Sequence, residues 1–225
     1  MIWNAFGGAL PAAVGIAISP IPIVLVILML VSRNARTNGP AFLVGWVLGV
    51  GVVTTLAFTL TDAADASTDS GASDGVNVMQ LLLGVLFLFL AFRQWKGRPR
   101  PGEEPEPPKL FAAVDGMGGS KALGFGFIAA AANPKNLPLA VSAGATMAQI
   151  GATGGDAAVA IVLFVLVASA SVAAPVVVYF FLGDRADGIL AGWKTWLIAN
   201  NATVMMVLFV VLGAKMLGAG LGVLA

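Results

Sequence analysis

Six long apolar stretches, separated by short segments that hold nearly all of the charges, dominate this sequence. They cover residues 5–31, 40–61, 76–92, 122–150, 157–182 and 202–221. A helix needs about 20 apolar residues to cross a hydrocarbon core roughly 30 Å thick. Only 10% of the residues are charged, well under the share of about 25% in soluble domains. We therefore predict an all-α polytopic membrane protein with six transmembrane helices.

Lysine and arginine residues are unevenly distributed among the loops between these spans. The loops after the first, third and fifth spans carry cations: Arg33, Arg36, Arg93, Lys96, Arg98, Arg100, Lys109, Lys121, Arg185 and Lys194. The loop at 62–75 carries four aspartates and no cation. Cytoplasmic loops of membrane proteins are enriched in lysine and arginine. We therefore expect the cationic loops in the cytoplasm and both termini outside. The first stretch lacks the basic start of a signal peptide, so we expect it to be a retained span.

The chain contains no cysteine and no histidine. Thiolate or imidazole metal sites and nucleophiles paired with histidine are therefore excluded. No carboxylate lies within any predicted span, so a carboxylate pair for catalysis inside the membrane is also absent. We expect no enzymatic activity, no metal, no cofactor and no nucleic-acid partner.

A proline-rich segment divides the chain near its midpoint. We predict a first three-helix repeat at 1–92, a cytoplasmic linker at 93–121 and a second three-helix repeat at 122–225. The sequence "AISPIPIVL" in the first span resembles "AANPKNLPLAV" in the fourth, because each has a polar residue and a proline followed by a second proline. A repeat with an odd number of spans must insert its copies in opposite orientations, as in many secondary transporters.

The paired prolines predict breaks in the first and fourth spans. Proline cannot donate a backbone hydrogen bond, so the carbonyls of Ile16, Ile18, Ala130 and Pro134 should be free. Broken helices at corresponding places in two repeats are typical of a transport site near the midplane. The predicted substrate-binding residues are Ser19, Pro20, Pro22, Asn133, Pro134, Lys135, Asn136 and Pro138. The alternative for the prolines is a simple kink.

Lys135 is a cation within an apolar span, and no predicted span contains a carboxylate that could pair with it. Such a residue faces a cavity, a partner or an anionic ligand, or its side chain snorkels to the headgroups. We expect it to bind an anionic group of a substrate, with help from backbone amides where the half-helix begins again.

Several polar or small residues in the other spans are secondary candidates. The side chains that could line a cavity are Thr54, Thr55, Ser169, Ser171, Asn200 and Asn201. The hydroxyl residues could instead serve helix packing, and the two asparagines could cap the sixth helix. Gly45, Gly49 and Gly51 are expected at close helix contacts, and faces of small residues permit a homodimer without requiring one.

The six-span pattern, "SPIP" in the first span and "NPK" in the fourth resemble the lysine-exporter (LysE) superfamily of bacterial export proteins. The proline-rich middle loop and "NPKNLPLAVSAG" are most similar to its GAP branch, the glycopeptidolipid- and sulfolipid-addressing proteins of actinobacteria. The matching residues are Ser19, Pro20, Pro22, Asn133, Pro134, Lys135 and Asn136. This resemblance implies a bacterial inner-membrane protein that helps to move an envelope glycolipid outward.

Three functional hypotheses follow from these features. The first is an exporter or flippase for an anionic lipid-linked envelope molecule, whose partners are membrane lipids and that amphiphilic substrate, working by alternating access at a midplane site. The second is an exporter of a small solute such as an amino acid. The third is an accessory protein for envelope-lipid assembly that transports nothing.

Overall fold

The computed structural model describes residues 1–65, 72–98, 114 and 116–222. Within these ranges the chain is helical and contains no strand. The helices are α1 (Ile2–Ala17), α2 (Pro20–Leu30), α3 (Ala35–Asp65), α4 (Ala72–Lys96), α5 (Gly119–Ala131), α6 (Asn136–Gln149), α7 (Gly154–Leu182) and α8 (Ala186–Gly220), with a 3-10 turn at Gly183–Arg185. The predicted all-α class is thus confirmed for the described residues.

The apolar helices are those of a membrane protein. Among the described residues, two helical stretches are long and apolar enough to cross a membrane, Ala35–Ala63 and the continuous run Gly154–Gly220. A third is added if α1 and α2, which bend by 56° at their junction, form one broken span. The division into six spans stays a prediction.

The chain forms two compact units. Unit 1 contains Met1–Asp62 and Glu106–Ile198, and unit 2 contains Ala63–Pro105 and Ala199–Ala225. Unit 1 therefore holds both segments with paired prolines, "AISPIPIVL" and "AANPKNLPLAV". The predicted division at a linker of residues 93–121 stays a prediction, because most of that linker lies outside the described residues.

In unit 1, the two broken helices pack against each other in opposite directions. α1 contacts α6, and α2 contacts α5. A side chain built at Gly8 would lie 3.0 Å from atoms of Thr146 and Ile150, whereas Ser19 lies beside Asn136. Residue numbers rise along one helix as they fall along the other, so the pair is antiparallel and the two breaks face each other.

α7 packs along α1 and α2 in the same direction as they run. The amino group of Met1 lies 3.8 Å from Asp156 at the start of α7, and further along Ser171 bonds to Ala17. The first broken helix is therefore held between α6 on one side and α7 on another.

Three cationic segments meet at one end of unit 1. The Asn38 side chain donates a hydrogen bond of 2.9 Å to the carbonyl of Met117, just before α5. Arg36 lines a cavity together with Gly183 and Asp184 of the 3-10 turn. The segments that follow α2, precede α5 and follow α7 thus lie together.

α3 packs closely against both halves of the second broken helix. A Cβ atom at Gly49 would lie 2.7 Å from the carbonyl oxygen of Phe127 in α5, and one at Gly144 in α6 would lie 2.7 Å from the amide nitrogen of Phe58 in α3. The predicted close contact is confirmed for Gly45 and Gly49, which face the backbone of α5. It is wrong for Gly51, where the nearest atom is Val165 Cγ2, at 3.8 Å.

Unit 2 is built from α4 and the second part of α8. Phe87 stacks on Phe209 with ring centroids 5.7 Å apart, and a Cβ at Gly84 would lie 2.7 Å from Leu217. Asn200 and Asn201 lie inside α8, so their predicted role as a helix cap is wrong. The segment from Ala186 to Asn201 contains no proline, so nothing there prevents the helix from starting earlier.

Candidate functional site

The first break separates α1, which ends at Ala17, from α2, which begins at Pro20. Proline disfavours helical geometry in the residue before it, and Ser19 accordingly has φ −129° and ψ 86°. Pro20 and Pro22 both lie in the first turn of α2, where backbone N–H groups would have no partner within the helix. Proline removes two of these groups, and the predicted break is confirmed.

The ammonium group of Lys135 binds to the end of α1. Its Nζ donates hydrogen bonds of 2.8 Å to the carbonyl of Gly15 and 2.8 Å to the carbonyl of Ile18. A third bond of 2.5 Å goes to the hydroxyl of Ser19. An ammonium group has three N–H donors, and here each of them meets an acceptor of the first break.

Two serine hydroxyls satisfy the remaining carbonyls of the last turn. The Ser19 hydroxyl donates a bond of 2.6 Å to the carbonyl of Ile16. Ser171, on α7, donates a bond of 2.5 Å to the carbonyl of Ala17. The last four carbonyls of a helix have no partner within it. At this helix end all four are satisfied by side chains.

The second break, between α5 and α6, is stabilised by its own residues. Asn133 Oδ1 accepts a bond of 2.9 Å from the backbone N–H of Lys135, and the Asn133 carbonyl accepts one of 2.9 Å from Leu137. Pro134 lies exposed in the turn, and Pro138 occupies the first turn of α6. This break is also confirmed. The amides expected to bind an anion are thus in part already used by Asn133.

Asn136 completes the contact between the two breaks. Its side chain is buried, with 1% exposed, and its Oδ1 lies 3.4 Å from the Ser19 hydroxyl. Its Nδ2 has no hydrogen-bond partner among the described residues. We call Ser19, Asn133, Lys135, Asn136 and Ser171 the break cluster.

The charge of Lys135 is balanced without a carboxylate. The side chain is 3% exposed, and the one salt bridge found in the described part of the chain joins Met1 to Asp156. Instead, Lys135 lies at the C-terminal end of α1, where the aligned peptide dipoles carry partial negative charge. Substrate binding at this lysine stays a prediction. In this conformation Lys135 can bind an anion only if it gives up at least one of these three hydrogen bonds.

The predicted cavity-lining residues have different positions. Ser171 belongs to the break cluster, whereas the hydroxyls of Thr54 and Ser169 are buried without a partner among the described residues. Thr55 lies in a groove between α3 and α7. Asn201, in unit 2, is half-buried. The described residues include no group of three or more histidine, cysteine or acidic side chains that could hold a metal ion.

Sequence reasoning missed some of the groups that form the site. The carbonyls of Ile16 and Ile18 were expected to be free because of the prolines, but those of Gly15 and Ala17 were not. The usable signal is the general rule that a helix end leaves four carbonyls without partners. It applies once the end of α1 is placed at Ala17.

Comparison with known proteins identifies one protein family. A family model described as "Sap, sulfolipid-1-addressing protein" matches residues 9–222, a range that contains both breaks and the whole break cluster. No curated protein and no solved structure matches the chain.

Proposed function

The chain belongs to the sulfolipid-1-addressing protein family, and we propose that it moves an anionic, lipid-linked envelope molecule across a bacterial cytoplasmic membrane. The molecule is of the sulfolipid class that the family description names, an amphiphile with a sulfated polar group and apolar chains. The break cluster is the site at which that polar group binds.

The proposed architecture is six spans in two inverted repeats, as in the LysE superfamily. The antiparallel packing of the two broken helices supports it, because inverted copies place their first spans in opposite directions. The shared location of the cationic segments supports an orientation in which this end of unit 1 faces the cytoplasm and the end that carries Met1 and Asp156 faces outward.

The observation that carries the proposal is that Lys135 is neutralised by helix carbonyls. A cation paired with a buried carboxylate cannot leave it without exposing a bare charge to a medium of low polarity. Carbonyl partners carry only partial charge, so Lys135 can exchange them for an anion at lower cost. Hydrogen bonds between an ammonium and an anionic oxygen are also stronger than those to a neutral acceptor. A sulfate group is therefore a suitable competitor for the end of α1.

Exchange of this kind requires α1 and α2 to move away from α6. Ser19 remains attached to an α1 carbonyl when Lys135 leaves, which limits the number of unsatisfied groups. Asn136 Nδ2, a buried donor without a described partner, can then bond to a second oxygen of the same sulfate. Rocking of one repeat against the other would alternate access to this site.

The test is a flipping assay in liposomes that contain the purified protein and a fluorescent sulfated glycolipid. Wild type is compared with Lys135→Gln, which keeps two N–H donors but removes the charge, and with Ser169→Ala, which keeps the break cluster intact and removes a buried α7 hydroxyl that has no partner among the described residues. We expect Lys135→Gln to flip the probe about tenfold more slowly or worse, because one charge-assisted bond is worth about 1.5–3 kcal/mol. Ser169→Ala should stay close to wild type.

An uncharged glycolipid with the same chains is the substrate control, and circular dichroism establishes that each variant is folded. Equal flipping of the sulfated probe by wild type and Lys135→Gln would contradict the role of the lysine. Equal flipping of the sulfated and the uncharged probe by wild type would contradict recognition of an anion.

One observation favours the accessory protein as a second candidate. All N–H donors of Lys135 are satisfied within the protein, as expected of a lysine that only holds two helices together. Under this alternative wild type binds the sulfated lipid but does not raise its flipping rate, and Lys135→Gln lowers the stability of the protein without any other defect.

A further inference from the structure

A groove of about 540 Å³ runs along the surface of unit 1 between α3 and α7. Its walls are aliphatic side chains of α3 between residues 47 and 56 and of α7 between residues 161 and 166, and Thr55 supplies the one hydroxyl of the lining. The volume lies within the range of roughly 300–1,000 Å³ that is usual for ligand sites. Its lining contains no charged side chain, which favours an apolar ligand.

Gly51 forms part of this groove, and helix packing does not explain why it is a glycine. Gly45 and Gly49 lie against the backbone of α5, where any side chain would overlap it, but a Cβ at Gly51 would meet only Val165 Cγ2 at 3.8 Å. Glycine within a helix is less stable than alanine. Here the missing side chain leaves open space between α3 and α7 instead of a backbone contact.

The walls of the groove face outward. Val52 of α3 is 42% exposed and Val162 of α7 is 55% exposed. Both belong to stretches that are long and apolar enough to cross a membrane, so their surroundings are hydrocarbon. An alkyl chain is the ligand whose chemistry fits this lining and these surroundings.

The groove lies near the break cluster along α7. On α7, Ser171 follows Leu166, the last groove residue, by about 8 Å of helix at 1.5 Å per residue, and it bonds to the end of α1. A molecule with its apolar chain in the groove therefore lies about 8 Å, measured along α7, from a residue that bonds to the first break.

We propose that the α3–α7 groove holds one alkyl chain of the lipid whose anionic group binds at the break cluster. This inference rests on the proposed function and adds the site of the apolar part. The chain stays in contact with the membrane while the polar group enters between the broken helices. Gly51 provides the space for that chain.

The test is photolabelling of the full-length protein in liposomes with a synthetic sulfated glycolipid that carries a diazirine in one acyl chain. Labelled residues are mapped by mass spectrometry. We expect labelling at 47–56 and 161–166, and we expect Gly51→Leu, which fills the groove, to lower it about tenfold or more. Gly7→Leu is the matched control, because a Cβ at Gly7 meets nothing within 4 Å and Gly7 lies on α1, away from the groove.

Unchanged labelling of the groove in Gly51→Leu would overturn the proposal, and so would equal loss in Gly7→Leu. A phosphatidylcholine with the same diazirine chain, used at the same mole fraction, separates substrate from bulk lipid. If it labels the groove as strongly as the sulfated probe does, the groove holds ordinary membrane lipid and the proposal is wrong. Labelling does not require flipping. Specific labelling by a wild type that fails the flipping assay would therefore contradict transport and support the groove.

Discussion

The break between α1 and α2 and the break between α5 and α6 begin from the same sequence pattern, but their free backbone groups are satisfied differently. The carbonyls at the end of α1 bind side chains that come from α7 and from the second break. The amides at the start of α6 bind mainly to Asn133 in their own turn. The backbone groups of the first break are thus satisfied mainly by residues distant in sequence, and those of the second break by a residue of its own turn.

This difference makes the two breaks complementary. The first presents the negative end of a helix, and the second presents a cation that matches it. An identical pair of breaks would place like groups against each other. The contact between the two breaks is therefore attractive, and the following predictions test that contact and the helices packed around it.

The largest effect is expected for Lys135→Met. This change removes three hydrogen bonds and leaves the carbonyl of buried Gly15 and that of Ile18 without the lysine donor, so the free energy of unfolding should fall by about 3 kcal/mol. It is measured by titration with sodium dodecyl sulfate in mild detergent, followed by circular dichroism. Lys135→Gln, which retains donors, should lose less. A loss below that expected for one hydrogen bond would show that the end of α1 does not depend on the second break.

A smaller effect is expected for Gly49→Ala, which tests the contact of α3 with the second broken helix. The new Cβ would lie 2.7 Å from the carbonyl oxygen of Phe127 and 2.8 Å from the Cβ of Ala130, and overpacking of this kind costs about 1–3 kcal/mol. Gly51→Ala, two residues away, is the matched control and should be neutral or more stable, because alanine favours helix by up to about 1 kcal/mol. Equal loss in both variants would contradict the assigned packing.

Ser171→Ala tests the contact of α7 with the first break. Loss of its hydrogen bond to the carbonyl of Ala17 should lower the free energy of unfolding by about 1 kcal/mol. Ser169→Ala removes a buried hydroxyl that has no described partner and should have no destabilising effect. The same titration with sodium dodecyl sulfate is applied to both variants. A larger loss of stability in Ser169→Ala than in Ser171→Ala would show that the Ser171 hydroxyl does not stabilise the end of α1.

The smallest effect is expected for Pro20→Ala, which asks whether the proline or the distant side chains maintain the first break. Because Lys135 and Ser171 hold the α1 carbonyls, we expect a loss of only about 0.5 kcal/mol, as for removal of a well-placed proline. The bend should persist. The chain has no cysteine, so spin labels at Gly7→Cys and Val31→Cys report the bend directly. A straight helix would separate these positions by about 36 Å, and a shift to that distance would assign the break to proline alone.

Much of the candidate site was predictable from local sequence. The breaks at Ser19 and Asn133 follow from prolines that cannot donate and that restrict their neighbours. The closeness of Lys135, Ser19 and Asn136 was predicted from the resemblance between the two segments with paired prolines, and the structure shows the contact. The roles of Gly51 and Ser171 were not predictable, because a glycine or serine in an apolar helix is equally compatible with close packing, with a groove or with a cap. Asparagine is a common helix-capping residue, but α8 already begins at Ala186, so Asn200 and Asn201 lie inside it.

The sequence by itself determined that this is a helical membrane protein with two broken helices and one lysine at a break. These properties depend on hydrophobicity and on proline geometry, which act within a few residues. Only the tertiary structure decided that the partners of the lysine are carbonyls of Gly15 and Ile18, more than a hundred residues away in the chain. Every residue has a carbonyl of the same chemistry. Which carbonyls a cation meets is therefore set by the packing of α1 against α6 and α7, and not by residue type.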